Sequence, residues 1–441
     1  MADTFMGGIH VNDHTNTAHT RVSRMKDPRI VTIALSQHIG VQCASLVKPG
    51  DRVLKGQMIG DVTSGLGCPV HSSVSGTVIK ITSHITSSGA QVEDVVIEND
   101  FKDEMHPSVS FKGREIDDTS PEEIIEIVRK AGISGMGGAA FPTYAKIKSA
   151  IGKVDTLIIN AAECEPFITA NNRLLNEQSE SVIKGALVLL HSVGLTHGYI
   201  AIEDNKPHSI AIMKGMCADL PELEVKVVKT KYPQGDERQL IYAIMGREIP
   251  TGKLPADVGC VVFNAETASA VYRAFNSDYP LIERIVTVDG DCIKDPKNLM
   301  VPIGTSYRDL IEECGGLIKE PKYIINGGPM MGMAQWDVDA PVTKGTSAIL
   351  VFSKDMAPAY DQPKECIRCG RCVGVCPMHL MPNYMAAYAR KGMYDEAKKY
   401  GAKSCVECGC CSYVCPAYIP LVQYIRVAKS AIIAKERSRK R

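Results

Sequence analysis

Eight of the chain's sixteen cysteines fall in two runs of identical spacing. They are Cys366-x-x-Cys369-x-x-Cys372-x-x-x-Cys376-Pro377 and, 39 residues on, Cys405-x-x-Cys408-x-x-Cys411-x-x-x-Cys415-Pro416. The spacing suits two 4Fe-4S cubanes: three thiolates on one tight loop hold three irons, and the fourth Cys of each run ligates the cluster built by the other. The sets are then Cys366, Cys369, Cys372 with Cys415, and Cys405, Cys408, Cys411 with Cys376. Two structural zinc sites could use the same eight residues, but zinc ligands usually come as separated C-x-x-C pairs. Clusters exchange single electrons, so everything upstream has to feed or drain them.

A second stretch able to do chemistry is Gly132-Ile-Ser-Gly135-Met-Gly137-Gly138-Ala-Ala-Phe141-Pro142-Thr143-Tyr-Ala-Lys146, a glycine-rich loop that opens a helix. Its backbone N–H groups can converge on an anion, and the helix N-terminus adds a positive dipole end, so a phosphate is the expected occupant. The loop follows a helix and not a strand, so the ordinary dinucleotide fingerprint does not apply. Asn160-Ala-Ala-Glu163-Cys-Glu165-Pro166 falls at the carboxyl end of a strand, where α/β sheets gather ligands. His38, His71 and the methionines Met330, Met331 and Met333 read as packing residues.

At 441 residues the chain is long enough for three or four domains, each burying its own core. Its formal net charge of zero gives no electrostatic case for nucleic acid, and that class is set aside. Sixteen Cys without a secretory apolar segment argue for a reducing compartment. The scattered Cys43, Cys68, Cys164, Cys217, Cys260, Cys292, Cys314 and Cys410 then read as small buried hydrophobes. The apolar runs 182–190 and 347–352 have the length of core elements, so the protein reads as soluble or peripheral.

The elements that must position these groups follow from texture. Residues 1–115 read as short strands punctuated by Gly and Pro. The phrases around 47–57 and 69–78 resemble the flattened barrel of biotinyl and lipoyl carriers, but 60–75 contains no Lys to modify. Ser120-Pro-Glu-Glu123 is a capping box that opens a helix. Strand-helix alternation from 155 to 229, with one long helix over 170–192, argues for a three-layer α/β domain within 116–282. Residues 283–345 read as strand, strand, helix and a Gly-rich return, a structural unit. In 346–441 two helices over 384–391 and 394–400 separate the Cys runs. A final helix over 420–441 sets Ile425, Ala428 and Ile432 on one side and carries seven Lys or Arg against one Glu. Such a basic helix is either solvated or suited to an acidic partner or anionic lipid.

Four motifs carry a resemblance. Gly135-Met-Gly-Gly-Ala-Ala-Phe-Pro-Thr, Asn160-Ala-Ala-Glu-Cys-Glu-Pro, Tyr232-Pro-Gln-Gly-Asp-Glu237 and Asn264-Ala-Glu-Thr267 occur in an order and spacing similar to the flavin-carrying, NADH-oxidising subunit of respiratory complex I. With the barrel-like start and two-cluster end, the whole chain resembles the C-subunit family of Rnf-type membrane ferredoxin:NAD+ oxidoreductases. The resemblance implies a multidomain α/β architecture: an N-terminal barrel-sandwich, a three-layer flavin/NADH domain, a β-grasp domain and a helical two-cluster ferredoxin-like domain. It implies that Gly135, Gly137, Gly138 and Lys146 hold the phosphate end of FMN. Asn160, Glu163, Tyr232, Gly235, Asp236, Asn264 and Thr267 would line the rest of the flavin, with Phe141, Glu165 and Glu237 facing NAD(H). Met136, Ala162 and Phe263 stand where the complex I pattern has Arg, Asp and Asn, which implies weaker flavin binding. The implied partners are the other subunits, an iron-sulfur subunit and ultimately ferredoxin, at the cytoplasmic face of the membrane. The alternatives are a soluble flavin and iron-sulfur cobalamin reductase, whose barrel-like segment tends to lie at the other end, and a flavin-free wiring subunit.

Overall fold

The computed structural model describes residues 3–86, 89–356 and 362–438. In the barrel-sandwich a four-stranded antiparallel sheet, in the order Ile30–Ala34, Gln91–Asn99, Gly76–Ile85 and Arg52–Val53, is joined by a three-stranded one of Ala44–Ser45, Met58–Asp61 and Val70–His71. Alternating inward residues Val31, Ile33, Val78, Val95 and Ile97 bury one face of the larger sheet, the period of a half-buried strand.

The next unit is a four-stranded parallel sheet in the order Leu223–Val228, Gly198–Glu203, Thr156–Asn160 and Cys260–Asn264. Its strands are apolar on both faces because helices cover both. Leu157, Ile159, Ile200 and Ile202 pack into the large core with helices Ser179–Val193 and Ala265–Ser277. On the opposite face Ile158, Ala201 and Val262 meet Leu240 and Ile241 of helix Glu237–Met245. The capping box forms as expected: Ser120 Oγ accepts from the Glu123 amide and Glu123 reaches back to the Ser120 amide.

The single long helix expected over 170–192 is instead two, Ala170–Glu177 and Ser179–Val193, broken where Gln178 takes φ −135°. The break lets each piece find its own partner. Ser209 Oγ donates to Asn172 and Asn176 of the first, at 2.8 and 2.9 Å. The second lies along Ala265–Ser277.

The β-grasp boundary expected at 345 falls short. Strand Ala348–Phe352 pairs with both Glu283–Asp289 and Tyr323–Asn326 inside a six-stranded sheet. The short strand Ser23–Arg24, from the far end of the sequence, forms one edge beside Leu299 and Met300. Residues 3–25 are likewise outside the barrel and run across the other units.

In the final unit, short helices Arg371–Gly374 and Cys410–Tyr413 each follow a left-handed glycine, Gly370 and Gly409, so the sequence repeat is also a structural one. Helix Leu421–Ser438 buries Ile425, Ala428 and Ile432 as its spacing implies. Its charges largely face its own unit: Arg426 and Lys429 pair with Glu407 at 3.0 and 2.8 Å, and Lys435 pairs with Asp395. The rest of the basic tail, 439–441, lies outside the described residues.

Candidate functional site

The glycine-rich loop runs into helix Thr143–Ala150 and is held from behind. Met136 N–H donates to Thr267 Oγ1 at 3.0 Å, and the Met136 carbonyl accepts from Arg284 Nη2 at 3.2 Å. Met136 and Thr267 are buried, while Gly137 and Gly138 face solvent. A Cβ on Gly137 would lie 2.6 Å from Asn264 Nδ2, whereas one on Gly138 would meet no protein atom within 4 Å. The loop is thus a cradle closed by protein on one side and open on the other, the form a phosphate-bearing ligand needs.

The other expected ligand groups gather at the carboxyl ends of the strands, but several are already engaged. Asn160 Nδ2 donates to the Gly235 carbonyl at 2.8 Å, which closes the two strand-end loops on each other. Asn264 Oδ1 caps helix Ala265–Ser277 through Glu266 N–H, and Asp236 caps helix Glu237–Met245 through Arg238 and Gln239. Lys146 Nζ lies 3.3 Å from Glu237 Oε2 and sits over the Phe263 ring, so the expected phosphate and nicotinamide groups are one ion pair here. Phe141 is exposed beside the loop.

Four more of the expected site residues already have protein partners. Thr267 Oγ1 accepts from the Met136 amide and braces the loop. Glu163 accepts from the Asn171 and Asn172 amides. Glu165 accepts from the Met330 and Met331 amides, at 3.0 and 2.9 Å, so it ties the α/β unit to the β-grasp turn. Tyr232 is 1% exposed, and its hydroxyl donates to the Cys408 carbonyl at 2.7 Å. In each case a polar group has found a protein partner.

Beside Glu163 lies a small, partly open pocket walled by Asp13, Glu163, Glu203, Asn205 and Lys206 among others. Glu203 Oε2 accepts from the Glu163 amide, while its Oε1 has no protein partner. Burial, reinforced by Glu163 and only partly offset by Lys206, pushes the Glu203 carboxyl up to about 8. Its value in the unfolded chain is the ordinary 4.5, so the folded state holds a proton that the unfolded state releases. The stability tied to that proton is complete below pH 4.5 and lost as pH rises through 8. Glu203→Gln should therefore match the wild type in thermal unfolding at pH 4 and melt at least a few degrees higher at pH 9.

Cys372 and Cys376 have different thiol neighbours, with Cys411 in reach of both. Cys372 lies within electrostatic reach of Cys415, Cys366 and Cys369. Cys376 lies likewise near Cys405, Cys408 and Cys411. Cys376, Cys405, Cys408 and Cys411 line one small pocket together with Leu380, Met385, Val422 and Ile425. The two sets differ in burial: Cys366 and Cys369 are exposed, whereas Cys408 and Cys411 are buried. Burial raises the Cys405 thiol to about 12 in the free protein, so metal has to displace its proton. Cys410 is fully buried against the Tyr232 carbonyl and packs as the sequence suggests.

Two further residues matter to the loop, and their only signal in the sequence is a charge within an apolar strand or at its approach. Arg284 is 1% exposed, pairs with Glu266 at 2.8 Å and donates to the Met136 and Lys344 carbonyls. Lys344, also buried, donates to the Pro69 and Gly132 carbonyls, at 2.7 and 2.6 Å. One ammonium thereby joins the barrel, the loop and the β-grasp unit.

Comparison with known proteins agrees with this arrangement. Four family models match in chain order: the RnfC barrel sandwich hybrid domain over residues 3–102, the Nuo51 FMN-binding domain over 128–273, the SLBB domain over 285–334 and a 4Fe-4S dicluster domain over 358–416. The chain is 45% identical over 436 residues to the C subunit of the Na(+)-translocating ferredoxin:NAD(+) oxidoreductase complex of Acetobacterium woodii, covering 98% of each. It is 42% identical over 435 residues to the proton-translocating counterpart of Clostridium ljungdahlii, covering 98% of this chain and 94% of that one. Among solved structures, the NAD+-reducing [NiFe]-hydrogenase in the H2-reduced state aligns with TM-score 0.51 at 17% identity, over 72% of this chain and 63% of that one, a likeness of fold.

Proposed function

The chain belongs to the C-subunit family of ion-translocating ferredoxin:NAD(+) oxidoreductase complexes, with an FMN-binding domain and a 4Fe-4S dicluster domain, and on that premise we propose that it is the subunit that exchanges electrons with NAD(H). Net flow in this reading runs from reduced ferredoxin, through an iron-sulfur subunit, to NAD+. Ion translocation belongs to the other subunits. Among the described residues no helix is long and apolar enough to cross a membrane. The proposed location is peripheral, on the cytoplasmic face.

When bound, FMN supplies the adaptor between two-electron hydride chemistry and one-electron cluster chemistry. The residues present fit that group. The loop glycines leave a cradle that a side chain on Gly137 or Gly138 would fill, and Lys146 stands one helical turn in to meet a phosphate. Met136 in place of an Arg removes one positive charge, yet its backbone still holds the loop. Asn160, Gly235 and Asp236 shape the floor, and Phe141 and Glu237 flank the entrance for a nicotinamide nucleotide. Glu165 serves domain closure in place of the nicotinamide contact that the resemblance implies. The eight thiols supply the donors of two cubanes.

The observation that carries the proposal is the contact chain from cradle to clusters. Asn160 bonds Gly235 in the loop that begins with Tyr232, and Tyr232 bonds the Cys408 carbonyl. The buried set built on Cys405, Cys408, Cys411 and Cys376 then serves the flavin, and the exposed set built on Cys366, Cys369, Cys372 and Cys415 serves the partner. Tyr232→Phe should weaken that junction by about 1 kcal/mol. Amide exchange in the second cysteine loop, made about fivefold faster, reads this directly.

Anaerobic reconstitution with iron, sulfide and FMN, followed by rapid mixing with NADH and separately with NADPH, tests the assignment. Flavin bleaching with a nicotinamide nucleotide is expected. No bleaching with either would sink it, and retain only a wiring role.

A further inference from the structure

The N-terminal segment packs where its sequence gives no hint that it should. Residues 3–13 precede the barrel yet lie along the α/β unit. The Lys229 amide donates to the Asp3 carbonyl at 2.8 Å, Ile9 and Tyr232 exchange both backbone bonds at 2.9 Å, and the Phe167 amide donates to the Asp13 carbonyl at 2.8 Å. Between these anchors the segment crosses to the cysteine unit: Gly8 N–H donates to the Val375 carbonyl at 2.8 Å. Gly7, at φ +76°, lies so close that a Cβ would sit 2.8 Å from the Cys376 carbonyl oxygen and 3.2 Å from Pro377 Cα. Gly8, at φ +72°, leaves a Cβ only 2.6 Å from the Tyr232 carbonyl oxygen. Left-handed backbone and backbone-to-backbone approach both require glycine here. Ile9 is buried in one apolar cluster with Tyr232, Cys408 and Cys410.

We propose that residues 3–13 are a strap that fixes the separation between the flavin cradle and the cluster held by Cys376, Cys405, Cys408 and Cys411, with Gly7, Gly8 and Ile9 as its positioning residues. This rests on the functional reading above. The strap touches the cluster unit on the flank of Cys376, and Tyr232 touches it at Cys408. Two ligands of one cluster are thus gripped from the α/β side, while the exposed Cys366 and Cys369 have no such grip among the described residues. Ile9 fills the wedge between the two grips and excludes water from it. Electron tunnelling falls steeply with distance, so a junction that breathes would slow transfer without touching either cofactor site.

The test uses the full-length, iron- and FMN-loaded protein with Gly7→Val, Ile9→Asp and the milder Ile9→Ala, which keeps the test open if the first two fail to fold. Iron and flavin content should match the wild type. Amide exchange at Tyr232 and Val375 to Cys376 should quicken, while exchange in the loop at 366–370 stays as it was. On mixing with NADH, flavin bleaching should keep its rate, and cluster reduction should slow by about tenfold or more. Unchanged exchange and unchanged cluster reduction in the folded variants would overturn the strap, as would equal slowing of both phases. Failure of the unaltered protein to bleach would count against the functional reading alone, because the exchange signature is read without it.

Discussion

Replacing Cys376 with Ala should remove the cluster of the second run and spare that of the first, lowering iron from about eight to about four per chain. Cys376 closes the first run, yet the crossed pairing read from the spacing gives it to the second cluster. Its surroundings support the crossed pairing: Cys376 lies among Cys405, Cys408 and Cys411, and the Leu380 amide donates to its sulfur at 3.4 Å. Cys415→Ala should give the mirror result. Low-temperature electron paramagnetic resonance of the reduced variants distinguishes the two, because each should keep one cluster signal and lose the other. Only Cys415→Ala should retain NADH-driven cluster reduction, since it keeps the cluster next to Tyr232. Loss of the first-run cluster in Cys376→Ala would refute the crossed sets.

Gly137→Ala should weaken FMN binding at least tenfold, about 1.4 kcal/mol, with iron content untouched. The added methyl would meet Asn264 Nδ2 at 2.6 Å. Asn264 cannot swing away freely, because its Oδ1 caps helix Ala265–Ser277 and losing that cap costs about 1 kcal/mol. The loop would have to shift instead, against the bonds that Thr267 and Arg284 make to Met136. Gly138→Ala is the informative partner. No protein atom lies near its Cβ position, so thermal stability of the flavin-free protein should hold while FMN affinity falls. A thermal melt of the apoprotein reads the first and calorimetric titration with FMN the second; unchanged affinity in the Gly138 variant would move the phosphate elsewhere.

Local patterns in the sequence revealed the architecture well. The repeated cysteine run, the capping box at Ser120 and the Asn160 and Asn264 strand ends each encode their structure within a few residues. What stayed hidden depends on contacts between residues far apart in the chain. The strand Ala348–Phe352 reads as an apolar run of no fixed owner until Glu283–Asp289 and Tyr323–Asn326 pair with it. Tyr232 and Glu165 fit a ligand-facing motif, and only the approach of Cys408 and the Met330 turn shows that they join domains. Residues 3–13 have no periodicity, since their hydrogen bonds go to other units and not to each other. Arg284 was visible as a charge in an apolar strand, but its target, the Met136 carbonyl, was not.

The most direct test of the account is the order in which electrons arrive. Loaded protein is mixed anaerobically with NADH, frozen at successive times, and examined for flavin absorbance and for the two cluster signals identified with Cys376→Ala and Cys415→Ala. The account predicts flavin bleaching first, then the cluster of Cys405, Cys408, Cys411 and Cys376, then that of Cys366, Cys369, Cys372 and Cys415. Reduction of the exposed cluster before the buried one, or of either before the flavin, would contradict it.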